Sequence, residues 1–172
     1  MKRESVALNF EMDYAVRALT VEDGAIVWEM LRYAAHKPSL ESVQKQPSLA
    51  RYASGWGRVG DFGCVAESNT VAMGAAWLRL WEEEKGFGHV SDAIPELAIA
   101  VLPDYRGQGI GTQLLMQVLE VAKGHFGAVS LSVRADNPVV RLYERSGFIK
   151  VSGSEIVNRT GEVSFNMVRD FE

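Results

Sequence analysis

The stretch "RGQGIGTQLL", residues 106 to 115, sets glycines at 107, 109 and 111 directly before a run of helical composition. The first amides of a helix have no partner inside it, and the helix dipole favours negative charge there, so such a turn can hold a phosphate. Absent side chains let the backbone approach the anion closely. Spacing excludes two common identities. A nucleotide-hydrolysing loop needs Lys and then Ser or Thr after its last glycine, whereas Gly111 is followed by Thr112 and Gln113. A dinucleotide fingerprint needs G-x-G-x-x-G, whereas these glycines recur at every second residue. On the glycines alone, a tight turn that needs positive φ and binds nothing is an equal alternative.

Few other residues have chemical capacity. Glu96 opens the stretch "ELAIAV" and could accept a proton, or stand exposed at a strand end. Tyr143, in "NPVVRLYERSGF", is a phenol that stays protonated at neutral pH and could donate one, or pack its ring beside Leu142. Cys64 has no histidine in any local motif to activate it and reads as a buried strand cysteine. His36, His89 and His125 combine with it in no zinc spacing, so no metal is expected. Trp77, Trp81, Glu82, Glu83 and Glu84 form either an acidic rim for a cationic substrate or a solvated surface.

Local patterns say which elements carry these groups. "YAVRAL" alternates like a strand, and a helix follows with Thr20 and Asp23 placed as a capping box. "SLESVQKQPSLARYAS" has helical composition with Ser39 as N-cap and is broken in two by Pro47. "DFGCVAES" and "TVAMGAAWLRLWEE" form a hairpin around "SN". In "PELAIAVLP", Leu97, Ile99 and Val101 alternate with Glu96, Ala98 and Ala100, giving a strand with one face of small residues. Something can lie close to that face, or a helix can pack on it.

From Ile110 the residues Leu114, Leu115, Val118, Leu119 and Ala122 recur at helical spacing up to Gly124. "AVSLSV" is a strand. Asn137 as N-cap, Pro138 at the first helical position and Gly147 as stop frame a helix, and "SEIVN" with "EVSFNMV" makes a last hairpin. The order predicts one α+β domain over residues 1–172 with a mixed sheet.

Bulk properties set limits. The 172 residues are 47% hydrophobic and 23% charged, enough apolar surface for a core. A net charge of −4 opposes the cationic footprint of nucleic-acid or anionic-membrane binding. The opening residues "MKRESVALNFEMDY" lack the apolar run of a secretion signal, and one cysteine makes no internal disulfide. A soluble protein of the reducing cytoplasm is expected.

The words "ELAIAVLPDYRGQGIGTQLL" and "LSVRADNPVVRLYERSGF" together resemble the two central motifs of the GNAT superfamily of N-acetyltransferases. Arg106, Gly109 and Gly111 match its R/Q-x-x-G-x-G/A loop, and Asn137 to Phe148 match its N-x-x-A-x-L-Y-E-x-x-G-F helix, except that Val140 stands where Ala is usual. The resemblance spans roughly residues 96 to 148. It implies a mostly antiparallel sheet of six to seven strands, splayed in the middle and flanked by about four helices. It also implies acetyl-CoA as co-substrate. Arg106, Gly107, Gln108, Gly109, Ile110, Gly111 and Thr112 would hold its pyrophosphate, and Ile99, Ala100 and Val101 would pair with its pantetheine arm. Asn137 would cap its helix and hydrogen-bond the arm, and Tyr143 would act as general acid on the leaving sulfur.

The implied reaction is acetyl transfer to a primary amine of a small molecule, peptide or protein. A lysine-like amine is neutral in only about one molecule in two thousand at pH 7, a deficit of roughly 4.6 kcal/mol, so a base matters. Glu96 is the local candidate, with a water chain as the alternative, and Ser132 stands where an acid sometimes occurs in the second central strand. A non-catalytic acyl-CoA-binding module of the same fold is the competing reading. Either is expected as a monomer or homodimer, and neither names its amine.

Overall fold

In the computed structural model, which describes residues 13–172, the sequence patterns become strands β1 (Ala15–Ala18), helix α1 (Gly24–Ala34) and two short helices, α2 (Leu40–Gln44) and α3 (Pro47–Ala50). Strands β2 (Phe62–Ser68), β3 (Val71–Arg79) and β4 (Glu96–Val101) follow, then a 3₁₀ turn (Pro103–Tyr105) and helix α4 (Ile110–Lys123). Strand β5 (Ala128–Arg134), helix α5 (Val140–Arg145) and strands β6 (Ile149–Lys150), β7 (Ile156–Val157) and β8 (Val163–Asp170) complete the order. The opening apolar-run expectation falls largely on residues 1–12, outside the described residues.

Local chemistry explains most boundaries. Ser39 caps α2 by accepting from the Ser42 amide (3.2 Å), and Pro47, which has no N–H to lose, opens α3. The β2–β3 hairpin turns at Asn69 and Thr70, both at positive φ (49° and 66°), the twist that a two-residue hairpin requires. Helix α1 starts at Gly24, later than a Thr20 cap implies. Asp23 makes the reach-back bond of the expected box, accepting from the Thr20 amide (2.7 Å), but it also pairs with Arg17 of β1 (2.8 Å), so the segment before the helix is a turn tied to the sheet.

The strands form one sheet in the order β1-β2-β3-β4-β5-β8-β6, with β7 also on β8. Among the described residues eight strands and five α-helices stand beside the about six to seven and about four expected. The extra strand β6 is an exposed two-residue segment, too short to show alternation. Every pairing is antiparallel except β4 with β5, which run parallel and meet at a single register, Glu96↔Ser130. Beyond that point the two strands diverge.

Alternation along β4 divides the apolar interior into two layers. Leu97, Ile99 and Val101 face the layer under α4, with Ile110, Leu114, Leu115 and Val118. Ala98 and Ala100 face the other, with Val27, Met30 and Leu31 of α1 and with Trp77. The small residues of β4 therefore lie beneath a helix.

Charge enters this second layer at one point. Arg79, 1% exposed in its side chain, makes a two-pronged pair with Asp61, 2% exposed (3.1 and 2.8 Å), and donates to the carbonyls of Arg51 (2.9 Å) and Ser54 (2.6 Å). Burying a guanidinium is tolerable when a counter-charge and carbonyl acceptors take up most of its donors, as these four bonds do. Asp61→Ala is expected to cost about 3 kcal/mol or more by stranding Arg79, read as a lower urea midpoint at unchanged slope.

Candidate active site

The glycine stretch forms an open cradle. Gly107 and Gly109 adopt positive φ (78° and 81°), and a Cβ built on either meets nothing within 4 Å. Packing does not demand glycine here; the left-handed backbone does. Among the described residues, the amides from Gly107 to Thr112 donate to no protein acceptor, and the first bond of the helix comes from Gln113 N–H to Gly109 O (3.1 Å). Consecutive unpaired amides at the positive end of a fourteen-residue helix suit an anion such as a diphosphate. Ile110 contributes only its amide, since its side chain lies in the core, and the Thr112 side chain lines a separate groove with Met116 and Arg145.

The divergence of β4 from β5 exposes a backbone edge. Leu102 N–H donates to Met73 O (2.8 Å), so by alternation Ala98 and Ala100 turn their backbone groups to β3, while Ile99 and Val101 turn theirs toward the gap. Arg106 Nε bonds Val101 O (2.9 Å), laying its side chain across that edge. An amide-bearing arm can therefore pair with Ile99 and Val101 but not with the backbone of Ala100, a correction to the three-residue expectation.

Helix α5 supplies Tyr143. The helix begins at Val140 with Val139 at its N-cap, two residues later than an Asn137 cap implies, because residues 137–139 form a tighter turn in which Asn137 Oδ1 accepts from the Val139 amide (3.0 Å); Gly147 at φ 91° ends the helix. Phe148 N–H returns to Tyr143 O and Gly147 N–H to Glu144 O (both 3.0 Å), and the Phe148 ring packs edge-on against Tyr143 at 5.7 Å between centroids. This paired termination with its apolar contact fixes the tyrosine at the third position before the cap. Tyr143 is 6% exposed, and burial pushes its phenol up to about 12, so it stays protonated at neutral pH. Its hydroxyl has no protein partner among the described residues and lines the cleft.

Glu96 is not an exposed strand-end residue: it is 3% exposed. Tyr52 Oη donates to its Oε2 (2.5 Å) and Trp81 Nε1 to its Oε1 (2.9 Å). Burial raises its carboxyl above the ordinary range, and these donors oppose the rise. Gly86 and Gly88 let the loop between β3 and β4 press on it. A Cβ on Gly88 would stand 2.7 Å from the backbone of Leu131 and Ser132 and 2.8 Å from Glu96 Cδ, so the loop wedges between β4 and β5.

A cleft of about 510 Å³ joins these parts, lined by Glu96, Ile99, Ala100, Val101, Arg106, Gly111, Asn137 and Tyr143. Ser132, Tyr52, Phe87, Leu31, Tyr33 and Leu49 also line it. Gly107, Gln108 and Gly109 stand exposed at the mouth of α4. Trp77 is no rim residue: it is fully buried and donates to Tyr52 O (3.0 Å). Glu82, Glu83 and Glu84 are exposed and do not line the cleft. Cys64 is buried, which pushes its thiol up to about 12 and leaves it unreactive. Among the described residues no group of His, Cys, Asp or Glu could hold a metal. Sequence reasoning missed Tyr52 and Trp81 as partners of Glu96; the one legible trace was "GFG", glycines at close-approach spacing in an otherwise acidic loop.

Comparison with known proteins agrees with this architecture. The model of the acetyltransferase (GNAT) family matches residues 27–148. The N-alpha-acetyltransferase RimI of Mycobacterium tuberculosis is 40% identical over 74 residues, 42% of this chain and 46% of that protein. An N-alpha-acetyltransferase of Saccharolobus solfataricus is 36% identical over 85 residues, 48% of this chain and 47% of that protein. The chain thus spans about half the length of the curated relatives it matches.

Among solved structures, yncA of Salmonella typhimurium, a putative acetyltransferase determined with its cofactor acetyl-CoA, superposes with TM-score 0.70 at 21% identity, covering 93% of this chain and 95% of that one. The ribosomal-protein-S18-alanine N-acetyltransferase of Escherichia coli gives 0.67 at 21% identity with the same coverage. These likenesses are of fold.

The wedge generates a test. Gly88→Ala forces a methyl against backbone on one side and the Glu96 carboxylate on the other. A fall in unfolding free energy of about 1–3 kcal/mol is expected by chemical denaturation, whereas Gly107→Ala, with open space at its Cβ, carries only the cost of a left-handed alanine, about 1–2 kcal/mol.

Proposed function

Since the chain belongs to the acetyltransferase (GNAT) family, we propose that it transfers an acetyl group from acetyl-CoA directly to a primary amine of a small molecule, peptide or protein. The observation that carries this reading is the cleft lined at once by a buried, donor-held carboxylate, Glu96, and a buried, unpartnered phenol, Tyr143. Groups able to take and to give a proton line one cavity.

Acetyl-CoA supplies the acetyl group as a thioester. The amides of Gly107 to Thr112, with Arg106, hold its diphosphate, and Ile99 and Val101 pair with the amides of its arm. Asn137, whose Oδ1 is committed to the turn before α5, retains its Nδ2 for the same arm. Glu96 removes a proton from the ammonium form of the acceptor, directly or through one water, leaving a nucleophilic amine. Its raised pKa moves it nearer to that task. Tyr143 donates its proton, or a hydrogen bond, to the departing sulfur. Both groups lie in a site screened from bulk water, where their charges act more strongly.

This reading takes residues 1–172 as one acetyltransferase domain working in the cytoplasm, as a monomer or homodimer, without nucleic acid or membrane. The net charge of −4 and the lone buried Cys64 support it. Among the described residues no helix is long and apolar enough to cross a membrane.

Thiol release from acetyl-CoA across polyamines, amino acids, aminoglycosides and peptide N-termini tests the reading. Turnover with at least one class is expected; binding of acetyl-CoA with no release from any would favour the non-catalytic module. Tyr143→Phe is expected to lower kcat by about a hundredfold or more with acetyl-CoA affinity nearly unchanged, and unaltered kcat would remove Tyr143 from the acid role. Gly109→Val should weaken acetyl-CoA binding about tenfold or more by calorimetry, because a β-branched residue is strained at φ 81° and fills the cradle. Glu96 must be ionised to act, so kcat/KM should fall as pH drops through a value above the ordinary carboxylate range.

A further inference from the structure

Tyr52 lies in the turn after α3, distant from both central motifs, yet its hydroxyl is the closest partner of the Glu96 carboxylate. Its hydrogen-bond polarity is forced. The Phe87 amide, which can only donate, gives its proton to Tyr52 Oη (2.8 Å), so the phenol proton is left to point at Glu96 Oε2 (2.5 Å). Oε1 is held by Trp81 Nε1, also a pure donor. Of these two partners only Tyr52 could accept a proton from a neutral Glu96, and its own proton is already directed at the carboxylate, so the arrangement favours the ionised form and fixes its plane.

The fold invests in holding this phenol. Trp77 Nε1 bonds Tyr52 O (3.0 Å), and Arg79, locked to Asp61, bonds the carbonyls of Arg51 and Ser54 on either side of it. The Tyr52 ring packs edge-on to Trp81 at 5.0 Å and stacks with Phe87 at 6.3 Å. The ring is thus placed by carbonyl clamps and aromatic contacts, and the hydroxyl is free to serve the carboxylate.

We infer that Tyr52 is the positioning residue for Glu96, orienting its carboxylate toward the acceptor amine and keeping it ionisable in a buried site. This rests on the acetyl-transfer reading above and deepens it. Other charged or titratable groups around the carboxylate are few. Arg51 stands over the rings of Phe87 (4.8 Å), Tyr52 (5.8 Å) and Trp81 (5.9 Å), and its charge also favours the ionised form. Arg79, the β3 neighbour in register, is committed to Asp61. Tyr33 and His36 near the end of α1, with Tyr143 on α5, line the same cleft, and β5 contributes the uncharged Ser130 in register and Ser132.

The test is a pH titration of the Glu96 side-chain carboxyl by carbon-13 NMR in the full chain, its resonance assigned by disappearance in Glu96→Gln. In Tyr52→Phe the midpoint should rise by about one pH unit, because a donor to the charged form is gone. The acid limb of kcat/KM should rise equally, with KM for acetyl-CoA unchanged. Fluorotyrosine incorporated at position 52, a stronger donor in a native-shaped ring, should move both downward and covers the case in which Tyr52→Phe does not fold. A midpoint unmoved in the folded variants overturns the inference. If the midpoint moves while the wild type acetylates no amine, Tyr52 still controls the carboxyl and the acetyl-transfer reading alone fails.

Discussion

Strands β4 and β5 are hydrogen-bonded neighbours for one register and then part, and nearly everything at the site follows from that parting. A continuous parallel pair would use the backbone groups of Ile99 and Val101 and bury β4 on both edges. Here those groups face a cleft instead. Leaving strand edges unpaired inside a fold costs on the order of 1–3 kcal/mol for each desolvated group, so the gap persists only because flanking structure imposes it or a ligand fills it. On either side the sheet is strongly tied, β3 pairing β4 from Gly74↔Val101 to Arg79↔Glu96 and β5 pairing β8 from Ala128↔Asp170 to Arg134↔Ser164. Two rigid half-sheets joined at one point make a preorganised wedge.

The closed end of that wedge is where the fold concentrates its buried polar groups. Glu96 sits at the last shared register, Gly88 of the β3–β4 loop fills the space beside it, and Tyr52 and Trp81 supply donors from two other segments. The Asp61–Arg79 pair then fixes the turn that carries Tyr52. Glu96 is matched by donors and Arg79 by a counter-charge, while Arg51 stands over aromatic rings, so the network can be desolvated and still keep a titratable carboxylate at its head. The open end is the reverse: exposed glycines and unpaired amides at α4, held by backbone conformation and not by side chains.

Legibility in the sequence followed the range of the interactions. Elements set by near neighbours were read directly: the Ser39 cap, the Pro47 break, the α4 apolar stripe and the Gly147 stop after Tyr143. The glycine turn and helix start were equally plain, because positive φ and free amides are local properties. Tyr52 was not, since its bond to Glu96 spans 44 residues and depends on β3–β4 register and the packing of two short helices. The Ala98 and Ala100 face was ambiguous for the same reason: small residues suit either a ligand or a helix, and only the position of α1 decides it. The two-residue strands β6 and β7 carry too few residues for any period to appear.

The central claim, that the gap between β4 and β5 together with the α4 cradle seats acetyl-CoA, is tested most directly by residue-resolved amide hydrogen exchange with and without that molecule. Exchange should slow at Gly107 to Thr112 and at Ile99 and Val101, and stay unchanged at Ala98 and Ala100, whose amides already face β3. Slowing confined to the groove between α4 and α5, or no slowing at β4 and the cradle at saturating acetyl-CoA, would contradict it.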